Sequence, residues 1–175
     1  MIRLEPVGPR HVARMQELVV HPDVLRTTRL PDPYPADGAA RFVEAAQQSM
    51  RRGEEFVYAI IADGTGFVGN CGLHDIDPSR RRIEFGYWIG REYWGRGYGS
   101  AAAREAARIA LTELGFAEVV AHALEDNVAS RRVLEKAGFV FQGLGRHSVA
   151  KWPAERQVAL YRVRQADLAD AGGTA

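Results

Sequence analysis

The segment that most constrains this chain is WIGREYWGRGYGSAAAREAARIAL, from Trp88 to Leu111, in which a β-rich run passes through a loop into a helix. Four glycines lie between Gly90 and Gly99, and the alanine-rich helix after them contains no proline. A helix N-terminus carries unpaired amides and about half a positive charge, and glycines ahead of it let the backbone close on an anion. The segment is therefore typical of a phosphate site, although glycine-rich loops before helices also serve as plain turns.

The spacing of these glycines argues against the common nucleotide-binding motifs. Gly95, Gly97 and Gly99 alternate with single residues, which is not the GxGxxG order of dinucleotide-binding folds. No Lys-Ser/Thr pair follows them, as the P-loop of nucleoside triphosphatases requires. An antiparallel hairpin is predicted before the loop, whereas those folds place a parallel unit there.

Composition indicates one ordinary globular domain. Of the 175 residues, 46% are hydrophobic and 26% are charged, and 23 basic residues balance 22 acidic ones to a formal net charge of +1. This balance predicts no nucleic-acid partner, and no apolar stretch reaches the ~20 residues of a membrane span. Cys71 is the only cysteine, so no intrachain disulfide or cysteine zinc cluster can form, and we expect it to be buried. Because the first residues contain no apolar signal core, the sequence predicts a cytoplasmic protein.

Hydrophobic periodicity predicts an α/β or α+β fold with a mixed, mostly antiparallel central sheet of about six to seven strands flanked by helices. Residues 1–164 are expected to form a single domain, and residues 165–175 a frayed tail. The predicted strands are Ile2–Val7, Phe56–Ala62, Phe67–Leu73, Arg82–Gly90, Glu118–Leu124, Phe139–Gly143 and Val158–Val163. The predicted helices run from Pro9 to His21 and over Ala39–Arg51, Ala101–Leu114 and Val128–Ala137, with a long loop from Pro22 to Asp37.

Three segments together resemble a known superfamily. Trp94-Gly95-Arg96-Gly97-Tyr98-Gly99 resembles the coenzyme A pyrophosphate loop of the GNAT superfamily of acyl-CoA-dependent N-acyltransferases. The run from Asn127-Val128-Ala129-Ser130 to Gly138-Phe139 resembles the second motif of that superfamily. Glu84-Phe85-Gly86-Tyr87-Trp88-Ile89 is similar to the branch that contains the RimJ and RimL acetyltransferases, which modify N-termini of ribosomal proteins. The resemblance covers most of the chain and implies a GNAT-like fold and acetyl-CoA as co-substrate. His74 beside Asp75 and Asp77 is a weak ligand set, so the sequence predicts no metal ion.

The resemblance also implies which residues bind the cofactor. The glycine-rich loop would hold the pyrophosphate, and the strand backbone around Trp88 and Ile89 would pair with the pantetheine arm and the thioester carbonyl. An ordinary ladder position for those two residues, and a helix N-cap role for Asn127, are the alternatives. Arg131 and Arg132 could reach a coenzyme A phosphate or be solvated. The implied cofactor-binding residues are Trp88, Ile89, Gly95, Arg96, Gly97, Tyr98, Gly99, Ser100 and Asn127.

Glu84 and Ser130 are the candidate catalytic residues. Glu84 shares one face of its strand with Trp88, so its carboxylate could take the proton of the acceptor ammonium directly or through water. Partial burial is expected to raise the pKa of Glu84, and a salt bridge to a nearby arginine is the alternative. By analogy with the branch, Ser130 could hydrogen-bond the thioester sulfur and protonate the leaving thiolate. Many superfamily members have a tyrosine for that step where this chain has Leu134, and Trp94 replaces the usual Gln or Arg at the start of the loop.

The sequence therefore predicts direct acetyl transfer from acetyl-CoA to a primary amine, either the N-terminus of a protein or a small molecule. The loop from Pro22 to Asp37 is expected to form the acceptor pocket, with Tyr34 as an aromatic wall and His74 at the surface or in the cleft. Other donors or acceptors stay open, such as succinyl-CoA, an amino acid, a polyamine or an antibiotic amine. A non-catalytic acyl-CoA-binding module stays open too. Dimers are common in the superfamily, so the resemblance also leaves a homodimer open.

Overall fold

In the computed structural model, which describes residues 1–170, seven strands form one mixed sheet. The strands are β1 (Ile2–Pro6), β2 (Phe56–Ala62), β3 (Gly66–Asp77), β4 (Arg82–Ile89), β5 (Glu118–Leu124), β6 (Val140–Arg146) and β7 (Gln157–Val163). Their order across the sheet is β1-β2-β3-β4-β5-β7-β6, and each neighbouring pair is antiparallel except β4 with β5. The predicted mixed, mostly antiparallel sheet flanked by helices is confirmed.

Six α-helices accompany the sheet within the described residues. They are α1 (Val12–Val19), α2 (Pro22–Thr27), α3 (Gly38–Arg52), α4 (Tyr98–Arg108), α5 (Val128–Lys136) and α6 (Gln165–Asp170). Helix α4 continues as a π-helical turn over Ile109–Glu113. Helices α1 and α3 pack together and against β2 and β3, whereas α4 lies across β1 to β4. No helix among residues 1–170 has the length and apolar character to cross a membrane.

The structure differs from the predicted elements at α2 and at the C-terminal segment. A loop is predicted from Pro22 to Asp37, but Pro22 occupies the first turn of α2 and the His21 ring accepts a hydrogen bond from the Asp23 amide. Proline suits that helix position, and six residues are too few for an apolar period to be recognised. The predicted tail begins as α6, and its remaining residues 171–175 lie outside the described residues.

Helix α4 lies close to the sheet because its buried face consists of small residues. Ala102, Ala103, Ala106 and Ala107 have no exposed surface. Alanine side chains are short, so the first turn of the helix can approach the strands closely. A Cβ on Gly99 would lie only 3.1 Å from the Tyr87 ring of β4. This close approach places the glycine-rich loop directly beside the end of β4.

Strands β4 and β5 pair over only four residues each. Arg82–Phe85 lies opposite Glu118–Ala121, and no further pairing between these two strands is found in the described chain. Beyond this point β4 remains paired with β3 as far as Ile89, and β5 with β7 as far as Leu124. The two central strands therefore diverge, and the backbone groups that face the gap have no strand partner there.

Two glycines of β3 test how closely β3 and β4 approach each other. A Cβ on Gly69 would lie 2.3 Å from the Trp88 carbonyl oxygen, whereas a Cβ on Gly72 would meet no atom closer than 3.8 Å. We expect Gly69→Ala to lower the free energy of unfolding by about 1–3 kcal/mol, as overpacking does. Gly72→Ala, the matched control, should change it by less than about 0.5 kcal/mol. Urea unfolding measures both, and equal effects would contradict the close approach at Gly69.

Candidate active site

Two cavities meet beside the gap between β4 and β5. The large cavity has a volume of about 580 Å³ and is lined by β3, β4, β5, the chain after α2 and the segment between β6 and β7. The small cavity has a volume of about 320 Å³ and is lined by the glycine-rich loop and the first turns of α4 and α5. Molecules bound in the two cavities would touch where the linings overlap. The residues that line both are Thr27, Thr28, Tyr87, Trp88, Asn127 and Ser130.

The small cavity presents free backbone amides to an anion. Gly95 and Gly97 have φ of 78° and 79°, a conformation that residues with side chains rarely adopt. No side chain caps α4, and the Ala101 amide is already bonded to the Gly97 carbonyl at 3.1 Å. The amides of the first turn before Ala101, those of residues 98–100, are thus left for a ligand. A helix N-terminus of this kind binds phosphate or another anion.

The structure brings eight of the nine predicted cofactor residues into the lining of the small cavity, and the exception is Arg96. The Arg96 guanidinium lies 5.5 Å from the centre of the Tyr93 ring and donates to the Glu92 carbonyl. Positive charge enters the lining instead from Arg132 and Lys136, which lie one turn apart on α5. Arg132 is named above as a possible phosphate contact, and its spacing from Lys136 is the signal in the sequence by which Lys136 could have been found.

Trp94 fastens the glycine-rich loop to the end of β4. Its indole nitrogen donates to the Ile89 carbonyl at 2.7 Å, and the Arg91 guanidinium lies 4.8 Å from its ring centre.

The backbone of Trp88 points to the other side of β4, since its carbonyl faces Gly69 of β3. Backbone groups alternate sides along an antiparallel strand, so the amide of Ile89 faces the gap and that of Trp88 faces β3. Trp88 therefore holds the ladder position given above as the alternative, and it lines the cavities with its side chain.

Ser130 lies where the two cavities meet, at the start of α5. Its amide donates to Asn127 Oδ1 at 3.1 Å, so Asn127 is the N-cap of this helix. The Tyr87 hydroxyl donates to Ser130 Oγ at 3.3 Å. Burial raises the pKa of Tyr87 to about 12, so Tyr87 stays a donor at neutral pH and the hydroxyl hydrogen of Ser130 is available to a ligand. Sequence reasoning missed Tyr87 as a partner of Ser130; Tyr87 and Leu134, which replaces the usual tyrosine, both line the large cavity.

Glu84 lines the large cavity, with 12% of its side chain exposed. Its Oε1 accepts from Arg29 Nη2 at 2.7 Å and lies 3.1 Å from His122 Nδ1. Burial alone raises the pKa of Glu84, but the hydrogen bond with His122 and the charges of His122, Arg29 and His74 outweigh it, so the pKa is lowered. The prediction of a raised pKa is wrong because Arg29, 55 residues away in sequence, and His122 could not be placed against this carboxylate beforehand.

His74 also lines the large cavity, and it adds a possible ligand set near Glu84. Its Nδ1 lies 2.9 Å from Asp75 Oδ2, and one ligand atom from each of His74, Asp75 and Glu84 lies within 4.8 Å of the others. Such a set could hold a metal ion. The Arg29 guanidinium already balances Glu84 and lies 3.9 Å from Asp75 Oδ2, so it would repel an entering cation.

Two segments are tied together at the rim of the large cavity. Tyr34 lines the cavity, as predicted for the chain between Pro22 and Asp37. The segment between β6 and β7 was not predicted to take part, but Lys151 Nζ donates to the carbonyls of Leu25 and Leu30 at 2.5 Å each. The Trp152 indole adds a bond to the Arg26 carbonyl at 3.2 Å. The two segments therefore form connected walls of the large cavity.

Comparison with known proteins gives one family and several relatives. Residues 2–140 match the family model described as Acetyltransferase (GNAT) domain. The chain is 28% identical over 145 residues to FsC-acetyl coenzyme A-N(2)-transacetylase of Aspergillus fumigatus. This alignment covers 78% of the present chain and 61% of the relative. It is 37% identical over 87 residues to the Bacillus subtilis protein named "Putative ribosomal N-acetyltransferase YdaF". This alignment covers 50% of the present chain and 47% of the relative. The chain spans about half to three fifths of the length of these relatives.

Solved structures share the fold at low sequence identity. RimJ of Mycobacterium smegmatis, in complex with CoA-disulfide, superposes with a TM-score of 0.85 at 20% identity, covering 98% of this chain and 89% of that chain. Spermidine N-acetyltransferase of Vibrio cholerae, in complex with CoA and spermine, superposes with a TM-score of 0.81 at 16% identity, covering 96% and 98%. At these identities the likeness establishes the fold.

The lowered pKa of Glu84 predicts how one substitution changes acid stability. A carboxylate whose pKa falls on folding stabilises the protein above its ordinary pKa, which is 4.5 for Glu84, and that contribution is lost as pH falls through the folded value. The stability of the wild type relative to Glu84→Gln should therefore decrease between about pH 6 and about pH 3. Urea unfolding across this range measures the difference, with Glu44→Gln on the surface of α3 as the control. A difference that grows on acidification would mean that folding raises the pKa of Glu84.

Proposed function

Since the chain belongs to the GNAT acetyltransferase family, we propose that it is an acetyl-CoA-dependent N-acetyltransferase that moves the acetyl group directly to a primary amine. The observation that carries this proposal is the meeting of the two cavities at Tyr87, Trp88 and Ser130. A thioester held in the small cavity and an amine held in the large cavity would be in contact there. Transfer between adjacent substrates needs no acetylated enzyme, because orientation alone makes the reaction effectively unimolecular.

The donor half of the site suits coenzyme A. The free amides at the start of α4 would bind the pyrophosphate, and Arg132 and Lys136 would add charge for its phosphates. The pantetheine arm would lie along the unpaired edge of β4, bonded to the Ile89 amide like an added strand. Backbone amides carry most of these contacts, so the unusual Trp94 at the head of the loop is compatible with binding.

The two ends of the proposed site handle the two protons of the reaction. The amine nitrogen attacks the thioester carbonyl carbon, a nitrogen–carbon bond forms, and the carbon–sulfur bond breaks. We assign the proton that leaves nitrogen to the group built around Glu84, and the proton that reaches sulfur to the Ser130 hydroxyl. The chemistry uses no metal ion, and the Arg29 guanidinium beside Glu84 agrees with that.

The acceptor is a primary amine that enters the large cavity between its two connected walls. The name of the Bacillus subtilis relative supports a ribosomal acceptor, of which a protein N-terminus is one form, and a small-molecule amine is the alternative. A panel of N-terminal peptides, amino acids and polyamines, assayed for thiol release, separates these acceptors. Thiol release with no member of the panel, despite tight binding of acetyl-CoA, would favour a binding module. We place the reaction in the cytoplasm, where the buried Cys71 thiol would stay reduced.

Ligand-induced stabilisation tests the proposed donor. At about 100 times its dissociation constant, a ligand adds about 2.7 kcal/mol, which corresponds to roughly 5–10 °C in melting temperature for a domain of this size. We expect acetyl-CoA and coenzyme A to give such a shift, and NAD and ATP to give much less. No shift with acetyl-CoA, or a larger one with NAD or ATP, would contradict the proposal.

The Ser130 role is tested by changing the leaving group. We expect Ser130→Ala to slow turnover of acetyl-CoA by about 10- to 100-fold with nearly unchanged affinity, because the alkyl thiolate loses its proton donor. Tyr87→Phe should give a smaller loss in the same direction. An acetyl thioester of 4-nitrothiophenol has a leaving group that needs no proton, so both losses should shrink with it. Equal turnover of acetyl-CoA by wild type and Ser130→Ala would remove Ser130 from the mechanism.

A further inference from the structure

We propose that His122, rather than Glu84 itself, takes the proton from the acceptor nitrogen, and that Glu84 is the positioning carboxylate that orients the His122 ring. This inference rests on the proposed function and names a further catalytic residue for it. None of the three recognised sequence segments contains His122, and the fold brings it to the site.

Glu84 is poorly arranged to accept the proton directly. Its Oε1 receives the Arg29 guanidinium at 2.7 Å and faces His122 Nδ1 at 3.1 Å. Protonating this carboxylate would remove the counter-ion that Arg29 contacts at 2.7 Å and leave the guanidinium with Asp75 at 3.9 Å. A second cation, the acceptor ammonium, would have to compete with Arg29 for the same oxygen. Glu84 is therefore better suited to remain an anion throughout the reaction.

His122 emerges where the central strands separate. It directly follows Ala121, the last residue of β5 that pairs with β4, and 29% of its side chain is exposed in the large cavity. The ring is thus anchored on a strand and still reachable by a ligand and by solvent. Neutral imidazole is the usual general base of enzymes near neutral pH.

The partners of the ring determine which nitrogen is free. Arg29 Nη2 lies 3.2 Å from His122 Nδ1, and both nitrogens converge on Glu84 Oε1. A carboxylate is the stronger acceptor, so the tautomer with hydrogen on Nδ1 donates to Glu84. Nε2 then carries the lone pair and can take a proton. The arrangement is a carboxylate–histidine pair, in which the anion orients the ring and stabilises the imidazolium that forms.

Other ionisable groups surround this pair. In the neighbouring strand β7, the residue paired with His122 is Leu160, which is apolar. The charged or titratable groups that line the same cavity are Arg29 and Tyr34 after α2, Glu55 before β2, His74 and Asp75 of β3, Glu84 and Tyr87 of β4, and Arg146 and His147 at the end of β6. Among the groups in bonding contact with His122, Glu84 is an anion and Arg29 a cation, so their charges oppose each other at the ring.

The proposed step balances atoms and charge. The neutral amine nitrogen forms its bond to the carbonyl carbon and gives one proton to His122 Nε2, from which it passes to solvent. The sulfur leaves with the electron pair of the carbon–sulfur bond and gains one proton at the Ser130 end. One proton leaves nitrogen and one reaches sulfur, so the products are the amide and the free thiol.

Kinetics of three variants test this assignment on the full chain. We expect His122→Gln to lower turnover by about 100-fold or more, with the melting shift by coenzyme A kept. In its profile of kcat/KM against pH, the fall at low pH that protonation of the general base causes, here called the acid limb, should disappear. The separate fall that protonation of the acceptor amine causes should stay. In Glu84→Gln a smaller loss is expected, and the acid limb should be kept, because His122 is still present to accept the proton. His21→Asn, outside both cavities, is the control.

Chemical rescue separates a catalytic role of His122 from a structural one. Imidazole added to His122→Ala should restore part of the turnover, since the cavity is open to solvent. Wild-type turnover and an unchanged pH profile in His122→Gln would overturn the inference but leave the proposed function intact. Loss of the acid limb in Glu84→Gln but not in His122→Gln would overturn it as well. No thiol release by the wild type with any amine would overturn the proposed function and this inference together.

Discussion

The parallel pairing of β4 with β5 stops at Phe85 and Ala121, and the rest of the site depends on that divergence. Each strand is still held on its other edge, β4 by β3 and β5 by β7, so the gap between them is a fixed feature of the sheet. The gap leaves the Ile89 amide unpaired on one side and brings His122 to the surface on the other. A donor and an acceptor can approach each other only where such an opening exists.

In the proposed function, the two halves of the site recognise their ligands in different ways. The small cavity uses backbone amides held by the positive φ of Gly95 and Gly97, so it depends little on side-chain identity. The large cavity would use side chains from several separate segments, including Arg29, Glu84 and His122. This difference explains why the donor half is recognisable in a sequence motif and the acceptor half is not. The acceptor half is also where members of one fold can differ in substrate.

The sequence predicts the sheet and the long helices well, because each has a clear apolar period. It misses α2, whose six residues are too short to show one. It places the glycine-rich loop ahead of α4 but cannot tell that the Arg96 side chain lies against the Tyr93 ring. The predicted direction of the Glu84 pKa shift is wrong for a similar reason. Arg29 and His122 help to decide that direction, and only the tertiary structure brings them to the carboxylate. Local patterns fix elements, whereas side-chain direction and electrostatics need the fold.

A crystal structure of the protein with coenzyme A tests the central claim most directly. The account predicts the pyrophosphate on the amides at the start of α4, the pantetheine arm along the open edge of β4, and the sulfur within hydrogen-bonding distance of Ser130 Oγ. In that position the sulfur would lie at the junction of the two cavities, with Glu84 and His122 in the cavity beyond. Coenzyme A bound with its pyrophosphate away from the glycine-rich loop, or with its sulfur pointing away from the gap, would contradict the account.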